Sequence, residues 1–267
     1  MIIEESNLSI AWGKAFLDVF NVPYGEISPL VVVIKDLKNA EPPEIRSIRD
    51  VLDSKLKESK KRLSCHEVAN TIFPKSLWNP DKERQHLFDR YLNIFPRIKK
   101  HRRNQHSPNK YGVYFQRLIC FNPDLNSSMR GNNQLEQIIS TWKRGNHRRS
   151  ALQASLFDPY RDLTDERQRG FPCLQQVAFA KINQDGLQVT GFYATHDIFE
   201  RAYGNYLGLC RLGRFMAHEM DLNLSRVICI ASVARRVVKK GEFEIFAGKI
   251  EELLNTIEPN NEDNDVH

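Results

Sequence analysis

The 267-residue sequence carries none of the short motifs that announce common enzyme chemistries. With no GxxxxGK[ST] and no GxGxxG there is no glycine loop to cradle a phosphate, and with no GxSxG there is no strained serine nucleophile. Five cysteines, Cys65, Cys120, Cys173, Cys210 and Cys229, are odd in number and scattered, with no CxxC among them. That distribution argues against both a disulfide framework and a structural zinc site. His66 and Glu67 begin like a zincin helix, but Asn70 stands where the second histidine belongs. No ligand pair results, and no metal is expected. No apolar run approaches bilayer thickness, and the start MIIEESNLSIAWGK has no basic region leading into an apolar core. A cytoplasmic protein with no membrane partner is the expectation.

What is present suits one large domain. Apolar residues make up 41% of the chain, enough to bury a sizeable core. A single domain over 1–257 is expected, followed by an acidic, disordered tail, PNNEDNDVH, over the end of the chain. The net charge of +6 favours anionic partners such as nucleotides.

Helices are predicted for SIAWGKAFLDVF, capped by Ser6, Asn7 or Ser9, for the amphipathic EIRSIRDVLDSKLKESKK, and for SCHEVANTIF, capped by Ser64 and stopped by Pro74. Lys75 to Asn109 is irregular, and its basic run KKHRRN reads as a solvated loop. NNQLEQIISTWKRG has helical spacing with Gly145 at the C-cap. LVVVIKD, SALQASLF, CLQQVAFAKI, LQVTGFYATHDIF and RVICIASVA read as strands, the third and fourth joined by the turn NQDG. NYLGLCRLGRFMAHEM is a helix packed on the sheet, and FEIFAGKIEELLNTI closes the fold.

Taken singly, the chemically suggestive residues have ordinary explanations. Cys173 reads as a structural thiol, Arg148 and Arg149 as a solvated pair completing a helix end, Asp197 as an ordinary aspartate near a strand end, Asn205 as a helix cap, and Glu67 as a helix-surface residue. Their order changes the reading. Arg148-Arg149 after a QLEQII helix, Pro172-Cys173 opening a strand, Asp197 ending the next strand and Asn205 opening a long helix resemble the thymidylate synthase and pyrimidine hydroxymethylase superfamily. The resemblance covers residues 132 to 234 and is thinner upstream, where residues 1–110 diverge. There KYGVYFQR is similar to the family's Tyr-Gly motif with a following arginine, and His66-Glu67 to its His-Glu pair.

The resemblance implies an α+β fold with a large, bent, mixed sheet, helices on one face and a homodimer formed through the other. It implies Cys173 as the nucleophile that adds to C6 of a pyrimidine nucleotide, so that C5 attacks a one-carbon unit, with Glu67 managing protons. Arg148 and Arg149 would reach the partner subunit's phosphate, with Thr195 beside it. Asn205 would accept from N3–H and donate to O4, which favours a uracil-type base. Asp197 takes the folate-contacting position, with 5,10-methylenetetrahydrofolate as the implied one-carbon donor.

The sequence also departs from the family. Ala194 replaces an arginine, Leu174 follows the cysteine in place of histidine, SVARRV puts Arg235 and Val237 where a histidine and a tyrosine bind the sugar, and the polar tail cannot form the apolar lid over the folate. Arg235 and Arg236 are alternative phosphate ligands. Two functions therefore stand: a C5 methyl- or hydroxymethyltransferase, or a catalytically degenerate nucleotide sensor or scaffold. A nucleic-acid partner through Lys99 to Arg103 is disfavoured, because no aromatics interleave that run.

Overall fold

The computed structural model describes residues 1–38, 40–101, 113–121, 131–163 and 172–257. The Tyr111-Gly112 pair, the end of the basic run (102–104) and the acidic tail lie outside the described residues. Strand β1 (Ile2–Glu5) leads into helix α1 (Leu8–Asn21), whose cap is Asn7: its side chain accepts from the backbone N–H groups of Ser9 and Ile10. Strands β2 (Glu26–Ile27) and β3 (Leu30–Ile34) follow. Helix α2 (Arg46–Lys57) buries Ile48, Leu52 and Leu56 along one stripe. Helix α3 (Cys65–Ile72) begins with a complete capping box between Ser64 and Glu67.

The stretch expected to be irregular contains an 18-residue helix, α4 (Arg84–His101). Its inward residues Leu87, Phe88, Tyr91 and Phe95 are buried, a helical spacing that outweighs the helix-breaking tendency of Pro96. Lys99 to His101 thus sit on a helical backbone rather than in a loop. Helices α5 (Tyr114–Ile119) and α6 (Gln134–Arg144) come next, the latter capped by Asn133 and ended by Gly145 at φ 67°. Strand β4 (Gln153–Ser155), the single turn α7 (Pro159–Asp162), strand β5 (Leu174–Ile182) and strand β6 (Gly186–Asp197) complete the middle. A π-helical turn, Ile198–Ala202, joins β6 to helix α8 (Tyr203–Glu219), and strand β7 (Asn223–Arg235) and helix α9 (Lys240–Ile257) close the chain.

Among the described residues the strands form one seven-stranded sheet ordered β1-β3-β7-β6-β5-β4, with β2 on β7. It is mixed: β1–β3 and β6–β7 are parallel, the other pairs antiparallel. Its two faces differ. On one, Val177, Gly191, Cys229 and Val32 lie in register in a single row, and α8 packs over them. A Cβ on Gly191 would stand 2.7 Å from Leu209 Cδ1, and one on Gly204 would stand 2.5 Å from Val68 Cβ and 2.6 Å from the Cys65 carbonyl oxygen. Those two glycines set how closely α8 approaches the sheet beneath it and α3 above it. On the opposite face Gln176, Phe192, Ile230 and Val31 form one row and Ala178, Thr190 and Ile228 another. This face is half-exposed, and Phe192 retains 39% of its surface. No described helix is long and apolar enough to cross a membrane.

Candidate functional site

The sheet ends where β5 begins and β6 finishes, and the suggestive residues gather there. The backbone N–H of Ala194 donates to the Cys173 carbonyl at 3.0 Å, which fixes the start of β5 against the end of β6. The Cys173 sulfur consequently lies 3.7 Å from Thr195 Oγ1. The other four cysteines are buried, whereas Cys173 is half-exposed. Burial pushes the thiols of Cys65, Cys210 and Cys229 up, which holds them protonated and inert.

Three further residues surround this corner. Tyr114, near the start of α5, has its hydroxyl against the backbone amides of Leu174 and Cys173; burial pushes its phenol up, and the nearby Arg201 opposes that. Tyr193 is fully buried, and the His196 ring stacks on it at 4.2 Å between centroids with 6° between planes. His196 is in turn hydrogen-bonded to Asn205, 2.9 Å from Nε2 to Nδ2. Burial lowers the His196 pKa to about 3, so the ring is neutral at ordinary pH and Nε2 accepts from the Asn205 amide. Asn205 Oδ1 and the Tyr193 hydroxyl are buried and make no hydrogen bond among the described residues. A buried acceptor without a donor costs ~1–3 kcal/mol, so a donor supplied from outside the chain would gain that amount at Asn205.

Asp197 closes the corner. Its Oδ1 accepts from the backbone N–H groups of Phe199 and Glu200, at 3.1 and 2.9 Å, and so caps the π-helical turn. Burial raises its pKa to about 6, against the pull of those amides and of Arg201. Asp197 ends the strand, where its backbone register partner on β7 is Arg235.

The other expected site residues are placed elsewhere or are already engaged. The Glu67 carboxylate accepts from the Ser64 backbone N–H and from its hydroxyl, each at 2.8 Å. The neighbouring His66 ring is held by Arg211 on α8, 2.9 Å from Nη2 to Nδ1. Arg117, the arginine after the Tyr-Gly motif, is buried against Asp162 and donates to the Leu156 carbonyl at 2.7 Å; it braces α5 on α7. Arg236 lies over the Phe20 ring, 5.4 Å from its centroid, with Nε and Nη1 buried and making no hydrogen bond among the described residues.

Arg148 and Arg149 are exposed. Arg149 lines a recess of about 430 Å³ with Trp142, His147, Leu152 and Lys181 at the far end of β5. The Phe179 backbone N–H donates to the Leu152 carbonyl there. Phe179 is six residues along β5 from Cys173, roughly 20 Å at the rise of a strand. Within one chain, then, these arginines and Cys173 do not share a site.

The chain matches no protein-family model and no curated protein. The sequence order singles out Cys173, Thr195, Asp197 and Asn205, and the structure brings them to one sheet end. It gives no sign of Tyr114, Tyr193, His196 or Arg201. Tyr114 lies inside the KYGVYFQR stretch, whose motif points instead to Tyr111 and Arg117; Tyr193 and His196 flank residues already singled out, and Arg201 lies between Asp197 and Asn205. Only the pairing of β5 with β6, and the turn that follows β6, bring them together.

Proposed function

We propose that the protein is a thymidylate synthase-like transferase that forms a C5–carbon bond on a uracil-type nucleotide, with Cys173 as nucleophile. The observation that carries this reading is the corner itself: a half-exposed thiol 3.7 Å from the Thr195 hydroxyl and, held by the adjacent His196, a buried amide whose Oδ1 has no donor among the described residues. In the proposed reaction the Cys173 thiolate adds to C6, the C5=C6 electrons move onto the C4 carbonyl as an enolate, and C5 attacks an electrophilic one-carbon unit. Loss of the C5 proton and expulsion of the thiolate then regenerate the ring. Asn205 Oδ1 would accept from N3–H. Thr195 and the half-buried Arg201 stand where a phosphate or sugar oxygen would find a hydroxyl and a cation, Arg201 offsetting the arginine that Ala194 replaces.

The half-exposed sheet face, with Phe192 at its centre, supports a homodimer formed face to face. Such a pairing would let Arg148 and Arg149, too distant to serve their own Cys173, approach the partner's. Folate as the one-carbon donor rests on Asp197 alone; its Oδ1 is committed to capping, which leaves Oδ2 for a ligand N–H.

A second reading, a nucleotide sensor that has lost catalysis, is favoured by one observation. The Glu67 carboxylate is occupied by its own helix cap and is not available to move protons without breaking it. Incubation with 5-fluoro-dUMP and 5,10-methylenetetrahydrofolate, followed by intact mass, separates the two. The transferase gives a covalent adduct that Cys173→Ser abolishes. The sensor gives no adduct, and calorimetry shows nucleotide binding indifferent to Cys173→Ala.

A further inference from the structure

An asparagine amide can be turned over in place, exchanging its oxygen and nitrogen, and the two orientations read opposite ligands. What fixes the orientation is therefore what fixes the selectivity. Asn205 is 2% exposed and His196 1% exposed, so water does not arbitrate between them. The ring of His196 is itself immobilised, stacked on Tyr193 and set edge-on to Tyr206 at 5.7 Å. With Nε2 accepting from Nδ2 at 2.9 Å, the amide turns Oδ1 and its second N–H away from the ring. Reversing the amide would set two lone pairs against each other unless the imidazole moved its proton from Nδ1 to Nε2.

We propose that His196 is the positioning residue that sets base selectivity, by holding Asn205 with Oδ1 and one N–H presented to the ligand. That pattern matches a ring edge offering N–H next to a carbonyl, as uracil does at N3 and C4. Cytosine places a bare N3 against Oδ1 and an amino group against the remaining N–H, two mismatches at once. The inference rests on the reading that Asn205 faces the nucleotide, and it adds a residue that the family resemblance does not name.

The test combines two measurements on the full chain. Calorimetry with dUMP and dCMP gives the affinity ratio for the parent, for His196→Phe, which keeps a stacked ring but removes the acceptor, and for His196→Gln, whose Oε1 can accept from the amide again. The parent is expected to prefer dUMP by about tenfold or more. His196→Phe should bring the ratio close to one, and His196→Gln should restore the preference. A folded His196→Phe variant with the parental ratio overturns the role of His196 and leaves the nucleotide reading standing. Failure of the parent to bind either nucleotide removes the nucleotide reading, and this inference with it. Should the phenylalanine variant not fold, histidine ¹⁵N shifts of the parent decide: an unprotonated Nε2 on His196 supports the assignment, and a protonated Nε2 overturns it.

Discussion

Replacing Asp197 with asparagine should make the chain progressively more stable than its parent as the pH rises from 4 to 7. The folded carboxyl titrates near 6 because it is buried, whereas an unfolded aspartate titrates near 3.9. Between those values the folded state holds a proton that the unfolded state has lost, so the group's contribution to stability falls with rising pH. The difference of roughly two pKa units corresponds to about 3 kcal/mol over the complete titration. His196 works in the opposite sense. Its folded pKa of about 3 lies below the unfolded value of roughly 6.5, so its contribution rises with pH up to the unfolded value. In the parent the two neighbours therefore offset each other between pH 4 and pH 6. The substituted amide would keep the side-chain oxygen that caps the π-helical turn and lose only the ionisation. Urea denaturation at half-unit steps from pH 4 to pH 7 measures both chains. The expected result is a stability difference that grows by about 2 kcal/mol between pH 4 and pH 7 in favour of Asp197→Asn, with every other titration cancelling in the subtraction. Parallel curves over that range would refute the buried, proton-holding Asp197.

Gly204→Ala puts a Cβ into Val68 and the Cys65 carbonyl, both part of α3 and neither at the end of a flexible side chain. A loss of about 1–3 kcal/mol in chemical denaturation is expected. Arg117→Met strands the Asp162 carboxylate, 5% exposed, and should cost about 3–5 kcal/mol, with much of it recovered by adding Asp162→Leu; thermal unfolding of both variants checks this. Phe192→Lys places a charge on the half-exposed sheet face and should shift the sedimentation coefficient from dimer to monomer without lowering the melting temperature of the monomer.

Much of the fold was legible because its signals are local. Asn7, Ser64 and Gly145 sit at the helix ends where their side chains, or the absence of one, satisfy backbone groups. Strands β5 and β6 were readable because NQDG between them forms a turn, with Asn183 at φ 54°. Helix α4 was not, since Pro96 and the following basic run mask a stripe that only burial of Leu87, Phe88, Tyr91 and Phe95 reveals. Strand β1 was missed because four residues, IIEE, acquire strand character only by pairing with β3. At the candidate site the order of Cys173, Thr195, Asp197 and Asn205 could be read along the chain. The stacking of His196 on Tyr193 and the approach of Tyr114 to Cys173 could not, because a bulge at Leu174/Gln176 and a π-helical turn set those side chains. The same limit applies to Arg148 and Arg149, which the sequence order groups with Cys173 but which lie by the Phe179 end of β5, a strand span of roughly 20 Å from Cys173.

The central claim is that the Cys173 sulfur adds to C6 of a uracil ring. Addition makes C5 basic, so in D₂O each cycle of addition, deuteration at C5 and elimination replaces the C5 hydrogen, whatever the one-carbon donor. Proton NMR of dUMP incubated with the protein should show the H5 resonance disappearing with the parent and persisting with Cys173→Ala. An H5 resonance that decays no faster with the parent than in buffer would contradict it.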